Sequence, residues 1–224
     1  MLLLGIFIIL IIGFYIVYFK TNLEAKKVSS IVKDEENKGL IFEKEVDKFL
    51  NGCENIKVLR NLIIPNGKRG GTTEIDLVVL STKGFYVLEC KNYNGYVLGK
   101  PEEKKWTVCY NYNGFKKNIG FYNPLSQNIG HITALRKMFP KCYFQSIVLF
   151  SNNTILEKDL YKRKDIMRFD RFKKYFSEYF PKRKSFETQA VVDSIYDYLK
   201  AYENKNRDLH IEYVNSCFKK DNIA

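Results

Sequence analysis

Histidine is almost missing from this chain. With only His131 and His210 present, there is little material for a histidine-ligated metal centre or a Ser-His-Asp triad. Cysteine offers no substitute. Cys53, Cys90, Cys109, Cys142 and Cys217 are odd in number, widely scattered and without a C-x-x-C spacing, which argues against a disulfide framework and a zinc site and fits buried thiols in a reducing compartment. Acidic residues are outnumbered 25 to 37 by Lys and Arg, for a net charge of +12. Such a balance attracts polyanions, although lysine-rich composition by itself assigns no partner. No internal repeat and no Walker A spacing occurs. What is abundant is apolar: 46% hydrophobic and 15% aromatic residues suffice for one well-cored domain with appendages and exclude a disordered chain. Any chemistry falls to carboxylates.

Leu2 to Phe19 carries no charged residue. As a helix it would span roughly 27 Å, close to the thickness of a bilayer core. No basic residue precedes it and no small-residue cleavage site follows, which favours an uncleaved anchor over a removable signal peptide. Lys20, Lys26 and Lys27 come next, so the positive-inside rule places the remainder in the cytoplasm. The expected organisation is a transmembrane anchor over 1–20, a polar stalk over 21–38, an α/β domain over 39–150 and a basic helical extension over 151–224.

Within the domain, Phe42, Val46, Phe49 and Leu50 recur at helical spacing from Gly39 to Leu50 and leave Glu43 beside the buried stripe. Lys57 to Ile64 reads as a strand. The glycine-rich basic stretch Asn66 to Thr73 is either a phosphate contact or a mobile turn. Asn92 to Phe121 suggests strands and turns around Trp106. Asn123-Pro124 resembles an N-cap followed by proline in the first turn; Leu125, Ile129, Ile132 and Leu135 then form a core stripe, with Gln127, His131 and Ala134 on another face. Phe144 to Phe150 reads as a buried strand, followed by helices near Arg168 to Phe180 and Phe186 to Tyr202 and a polar tail. Between Lys158 and Lys184 basic residues outnumber acidic ones 11 to 4, with Phe169, Phe172, Tyr175 and Phe176 interleaved. That mixture suits a nucleic-acid groove, but core aromatics beneath a solvated lysine face are the favoured reading.

The most telling segment is a hairpin. Ile75 to Leu80 and Phe85 to Lys91 are apolar runs joined by Ser81-Thr82-Lys83-Gly84. If Leu80 faces Phe85, then Val78 faces Val87, Asp76 faces Glu89 and Glu74 faces Lys91. Ile75, Leu77, Val79, Tyr86, Leu88 and Cys90 occupy the other face, so both faces are apolar and the charges are local. Opposed carboxylates with Cβ atoms roughly 5 Å apart repel unless a cation lies between them. Oxygen-only ligands suit Mg²⁺, or Mn²⁺ in its place. Lys91 projects on the same side as Glu89 and is placed to orient water or neutralise transition-state charge. The alternative is a Glu74–Lys91 edge salt bridge, with Asp76 and Glu89 merely meeting water.

In order and spacing, Gly39-Leu40-Ile41-Phe42-Glu43, Glu74-Ile75-Asp76, Gly84 through Gly95, Trp106, and Asn123-Pro124-Leu125-Ser126-Gln127-Asn128 with His131 resemble the NERD, or nuclease-related, domain of the restriction-endonuclease-like PD-(D/E)XK superfamily. One departure is Phe42, where the family usually has glycine. The resemblance implies an α/β fold with a central mixed β-sheet flanked by helices, and a metal-dependent phosphodiesterase site. By position, Asp76 and Glu89 with the Cys90 carbonyl correspond to metal ligands. Lys91 corresponds to the water-orienting lysine, and Glu43 to a helix acid serving a second metal or a water. Gln127 corresponds to a helix glutamine that contacts the scissile phosphate or braces the site, or else bonds a neighbouring backbone group. His131 is expected to be structural. The expected function is a membrane-anchored, Mg²⁺-dependent nuclease acting on nucleic acid, DNA ahead of RNA. The rivals are a non-catalytic nucleic-acid-binding module and a membrane scaffold whose C-terminal helices dock a protein or anionic lipid.

Overall fold

The computed structural model describes residues 37–67, 71–112, 115–203, 205 and 207–221. A helix over 37–51, α1, opens the described part. It buries Phe42, Val46 and Leu50, as the spacing predicts. Strands β1 (Lys57–Pro65), β2 (Thr72–Ser81) and β3 (Gly84–Lys91) follow. The excursion around Trp106 resolves into β4 (Tyr96–Leu98), β5 (Lys105–Tyr112) and β6 (Phe115–Tyr122). Then come α2 (Pro124–Met138), β7 (Phe144–Phe150), β8 (Ile155–Leu156), α3 (Lys158–Lys162) and β9 (Ile166–Arg168). The chain ends with α4 (Phe169–Lys174), α5 (Gln189–Lys200) and α6 (Arg207–Asp221).

The central sheet runs β1-β2-β3-β7-β9. Its first three strands are antiparallel, while β7 lies parallel to β3 and β9 parallel to β7, so the sheet is mixed. The crossover from β3 to β7 includes α2, as a parallel pairing requires. A second sheet, β6-β5-β4-β8, goes beyond the single sheet expected. It buries Trp106 against Val97, Leu125 and Phe150. The Trp106 ring also explains Gly99, where an added Cβ would lie 2.2 Å from the indole.

Helices cover both faces of the central sheet. On one, α1 and α4 enclose Leu77, Val79, Tyr86 and Leu88; on the other, α2 and α5 enclose Val78, Leu80, Phe85 and Val87. The hairpin is thus a near-continuous apolar run because it is buried from both sides. Phe169, Phe172 and Phe176 belong to the first of these cores, so the basic segment does place its aromatics inside.

Asn123 fixes the start of α2. Its side-chain oxygen accepts from the backbone N–H of Leu125 at 2.9 Å and of Ser126 at 3.4 Å, while its amide donates to the carbonyls of Pro101 at 3.0 Å and Glu103 at 2.7 Å. The expected core stripe needs one correction: Ile129 is 60% exposed. Asn128 is buried instead, donating to the Val87 carbonyl at 2.8 Å and to Ser146 Oγ at 2.9 Å. A polar residue whose amide N–H groups are taken up by the sheet can hold the centre of a helix contact, and this turns Ile129 outward.

Three expectations for the C-terminal part change as well. The single helix near Arg168 to Phe180 is α4 loosening into a π-helical turn, Tyr175–Tyr179, and a 3₁₀ turn, Phe180–Lys182. The helix from Phe186 starts later, because Thr188 caps α5 through the Val191 N–H and Phe186 lies edge-on to Phe85 with ring centres 5.6 Å apart. The polar tail contains α6. Among the described residues no helix is long and apolar enough to cross a membrane. Leu2 to Phe19, where the span is expected, and the stalk up to residue 36 lie outside them.

Candidate functional site

The hairpin adopts the expected register, pairing Leu80 with Phe85, Val78 with Val87 and Leu77 with Leu88. There the ladder stops. Neither Asp76 with Glu89 nor Glu74 with Lys91 forms a rung. Instead, Asp76 Oδ2 accepts the Cys90 backbone N–H at 2.7 Å, one residue further along β3. On its other side β1 pairs Arg60 with Leu77 and Leu62 with Ile75, skipping Asn61 across from Asp76. Asn61 has a left-handed backbone, φ 52°, a conformation asparagine tolerates better than most residues. The inward alternation reverses at this point: Leu77 and Val79 enter the core beneath α1, Ile75 the core beneath α2. The expectation that Ile75 shares a face with Leu77 and Val79 is therefore corrected. Such local breaks of pairing re-aim a side chain at the rim of a sheet. Glu74 lies 4.0 Å from Arg207 and 3.9 Å from His210, both on α6, so the Glu74–Lys91 salt bridge is not made.

Glu89 is fully buried and its carboxylate is held from both ends. Lys91 Nζ donates to Oε1 at 2.5 Å, and His131 Nε2 lies 3.1 Å from Oε2. His131 Nδ1 is in turn 2.8 Å from Thr73 Oγ1. Burial would raise the Glu89 carboxyl, but Lys91 and the His131 hydrogen bond pull it below its ordinary value. Burial also works against the charge on Lys91; Glu89 and Asp76 outweigh it and hold the ammonium above its ordinary range. Gln127 Oε1 accepts from Lys91 Nζ at 3.5 Å, so this glutamine braces the lysine. His131, expected to be structural, touches the acid directly. The signal was its position one helical turn after Gln127, on the same face of α2.

Glu43 joins the cluster from α1. Phe42, packed edge-on against Phe169 with ring centres 5.6 Å apart, is a core residue here, and the helix is seated with Glu43 half-buried beside the acids. Burial, then Glu74 and Glu89, raise the Glu43 carboxyl. Asp76 is raised well above its ordinary value by burial, then by Glu89 and Glu43. The rim therefore holds more negative charge than Lys91 balances, and Asp76 Oδ1 has no protein hydrogen-bond partner among the described residues.

These features fit a hard divalent cation. Two carboxylates and the Cys90 carbonyl are oxygen donors of the kind Mg²⁺ takes, and such sites leave positions to water and phosphate. Among the described residues no group of three or more His, Cys, Asp or Glu side chains is gathered to hold an ion.

A mixed sheet carrying buried acids and a lysine at the end of an antiparallel hairpin defines a class. The Nuclease-related domain family (NERD) model matches residues 38–151, about half the chain, and the chain belongs to that family. An uncharacterized protein of Bacillus anthracis is 26% identical over 201 residues, covering 82% of this chain and 86% of its own. The alignment thus runs beyond the C-terminal end of the family match. No solved structure matches significantly.

Proposed function

We propose that this chain is a Mg²⁺-dependent nuclease, with Mn²⁺ able to substitute, that hydrolyses phosphodiester bonds in nucleic acid, DNA ahead of RNA. The observation that carries this reading is the meeting of Asp76 with the Cys90 main chain beside the Glu89–Lys91 pair. Asp76, Glu89 and the Cys90 carbonyl would hold the ion, which would supply acidification of a water and polarisation of the phosphate. Lys91, kept protonated and aimed by Glu89 and Gln127, offers its charge to a non-bridging oxygen or positions the attacking water. The P–O bond to water forms as the bond to the leaving sugar oxygen breaks; the attacking water gives up a proton to solvent and the leaving oxygen takes one from solvent. Glu43 would serve a second ion or a water. Membership of a nuclease-related family supports nucleic acid as substrate, and the motif resemblance supports a restriction-endonuclease-like PD-(D/E)XK arrangement.

The same reading has Leu2 to Phe19 anchor the chain in a bilayer with the domain on the cytoplasmic side. Its support is the uncharged length followed by Lys20, Lys26 and Lys27.

The test is nicking of supercoiled plasmid by the purified full chain. Cleavage should require Mg²⁺ or Mn²⁺, stop with EDTA, and be lost in Asp76→Asn and Lys91→Met. Equal activity in Asp76→Asn rejects the assignment. Metal-independent binding of nucleic acid without cleavage by the unaltered chain favours the non-catalytic module.

A further inference from the structure

A cleft of about 1030 Å³ opens at the end of the central sheet opposite the acids, lined by the first residues of β7, the start of β9, α2 and α4. Its floor is a strand edge. The β7–β9 ladder pairs only Val148, Leu149 and Phe150, so Phe144 to Ile147 have no strand beside them on that side among the described residues. Val148 N–H donates to the Asp165 carbonyl on the β9 side at 2.8 Å. Because backbone groups alternate in direction along a strand, those of Ser146 and Phe144 point into the cleft.

The walls are cationic. Arg136, Lys164, Arg171, Lys174 and Arg183 line the cleft, against one carboxylate, Asp165. Asp165 is already neutralised by Arg163, through hydrogen bonds of 2.8 and 2.7 Å. None of the five cations has a carboxylate within 4.0 Å among the described residues. Arg183 instead donates to the Tyr175 hydroxyl at 2.9 Å and lies over the Tyr86 ring, and Arg171 donates to the Tyr161 and Arg163 carbonyls.

We propose that this cleft docks an acidic peptide segment in extended conformation, which adds to the open edge of β7 and continues the line of β9. An edge presents donors and acceptors in alternation, a pattern that another strand matches and a phosphate chain, which has only acceptors, does not. Lysines along an edge discourage indiscriminate pairing. Cations of one sign also repel basic strands while favouring acidic ones, which makes the edge selective. The proposal does not depend on the nuclease reading, because these residues lie away from the acids.

The probe is a fluorescein-labelled ten-residue peptide alternating Val and Glu, titrated with the full chain and read by anisotropy. Saturable binding is expected. It should weaken at least tenfold when Glu is replaced by Lys, when alternate peptide amides are N-methylated, and in the double variant Lys164→Glu/Lys174→Glu, whose exposed side chains leave the circular dichroism spectrum unchanged. Equal binding of the N-methylated peptide shows charge attraction without strand pairing and overturns the proposal. So does unchanged binding by the double variant, or tighter binding of a ten-residue thymidylate that the same variant abolishes.

Discussion

Glu89 and Asp76 are both acids at one rim, yet their surroundings predict opposite responses to neutralisation. Glu89 balances Lys91 and accepts from His131, so Glu89→Gln strands a lysine beside a buried amide and should cost about 3 kcal/mol in urea denaturation. Asp76 has no cation within 4.0 Å among the described residues; Lys91 acts on it from further off, and burial with the field of Glu89 and Glu43 outweighs that attraction. Asp76→Asn keeps an acceptor for the Cys90 N–H and should raise the melting temperature in EDTA, while abolishing the stabilisation by added Mg²⁺ that the proposed metal site predicts for the unaltered chain. A lower melting temperature in EDTA would contradict the charge imbalance. His131→Ala releases one end of Glu89; if Glu89 holds the proposed ion, His131 orients a metal ligand and its loss should weaken metal affinity by about 10- to 100-fold in a calorimetric titration. The sequence disclosed most of this set, since Asp76, Glu89 and Lys91 stand out against apolar neighbours. It did not disclose how Asp76 reaches Cys90, because that depends on the left-handed turn at Asn61, which no hydrophobic period records.

Among the elements, strands buried on both faces were the most legible, their apolar runs and polar loops leaving few alternative pairings. Ile129 misled because helical period counts apolar residues, whereas the sheet's carbonyls drew in Asn128. The helix α6 was hidden for a related reason: its described contacts are polar. His210 Nδ1 lies 2.8 Å from Thr72 Oγ1, and Asn66 Nδ2 donates to the Tyr213 hydroxyl at 3.3 Å. This docking should depend on pH. Burial lowers the His210 pKa; Glu74 on β2 opposes this, while Arg207 on α6 and His131 on α2 add to it. The folded state therefore binds the proton less readily than the unfolded one, so the contribution is present above about pH 6.5 and is lost as the pH falls through the depressed value. Exchange protection across α6, taken relative to the intrinsic exchange rate at each pH, should fall as the pH drops from about 7.5 to about 5.5, and His210→Gln should flatten that change. In α4, Phe172 is fully buried. Phe172→Ala should cost about 3–5 kcal/mol, whereas a solvent-facing groove aromatic would cost little.

On the scale of the whole molecule, the segment beyond residue 150 contributes β9 to the central sheet and α5 to one of its cores, in agreement with an alignment to the Bacillus anthracis protein that passes the family match. If Leu2 to Phe19 acts as the anchor, the full chain will remain with vesicles through an alkaline carbonate wash, and deleting those residues will release it. Because β3 runs parallel to β7, the acids stand at one end of these strands and the cationic cleft at the other. From Tyr86 to Lys91 is five steps, about 17 Å. At that separation neither proposed site would obstruct the other, so a molecule that uses both would be bivalent. A partner carrying both an acidic strand and a length of nucleic acid would gain avidity through effective concentration, provided its own linker spans that gap.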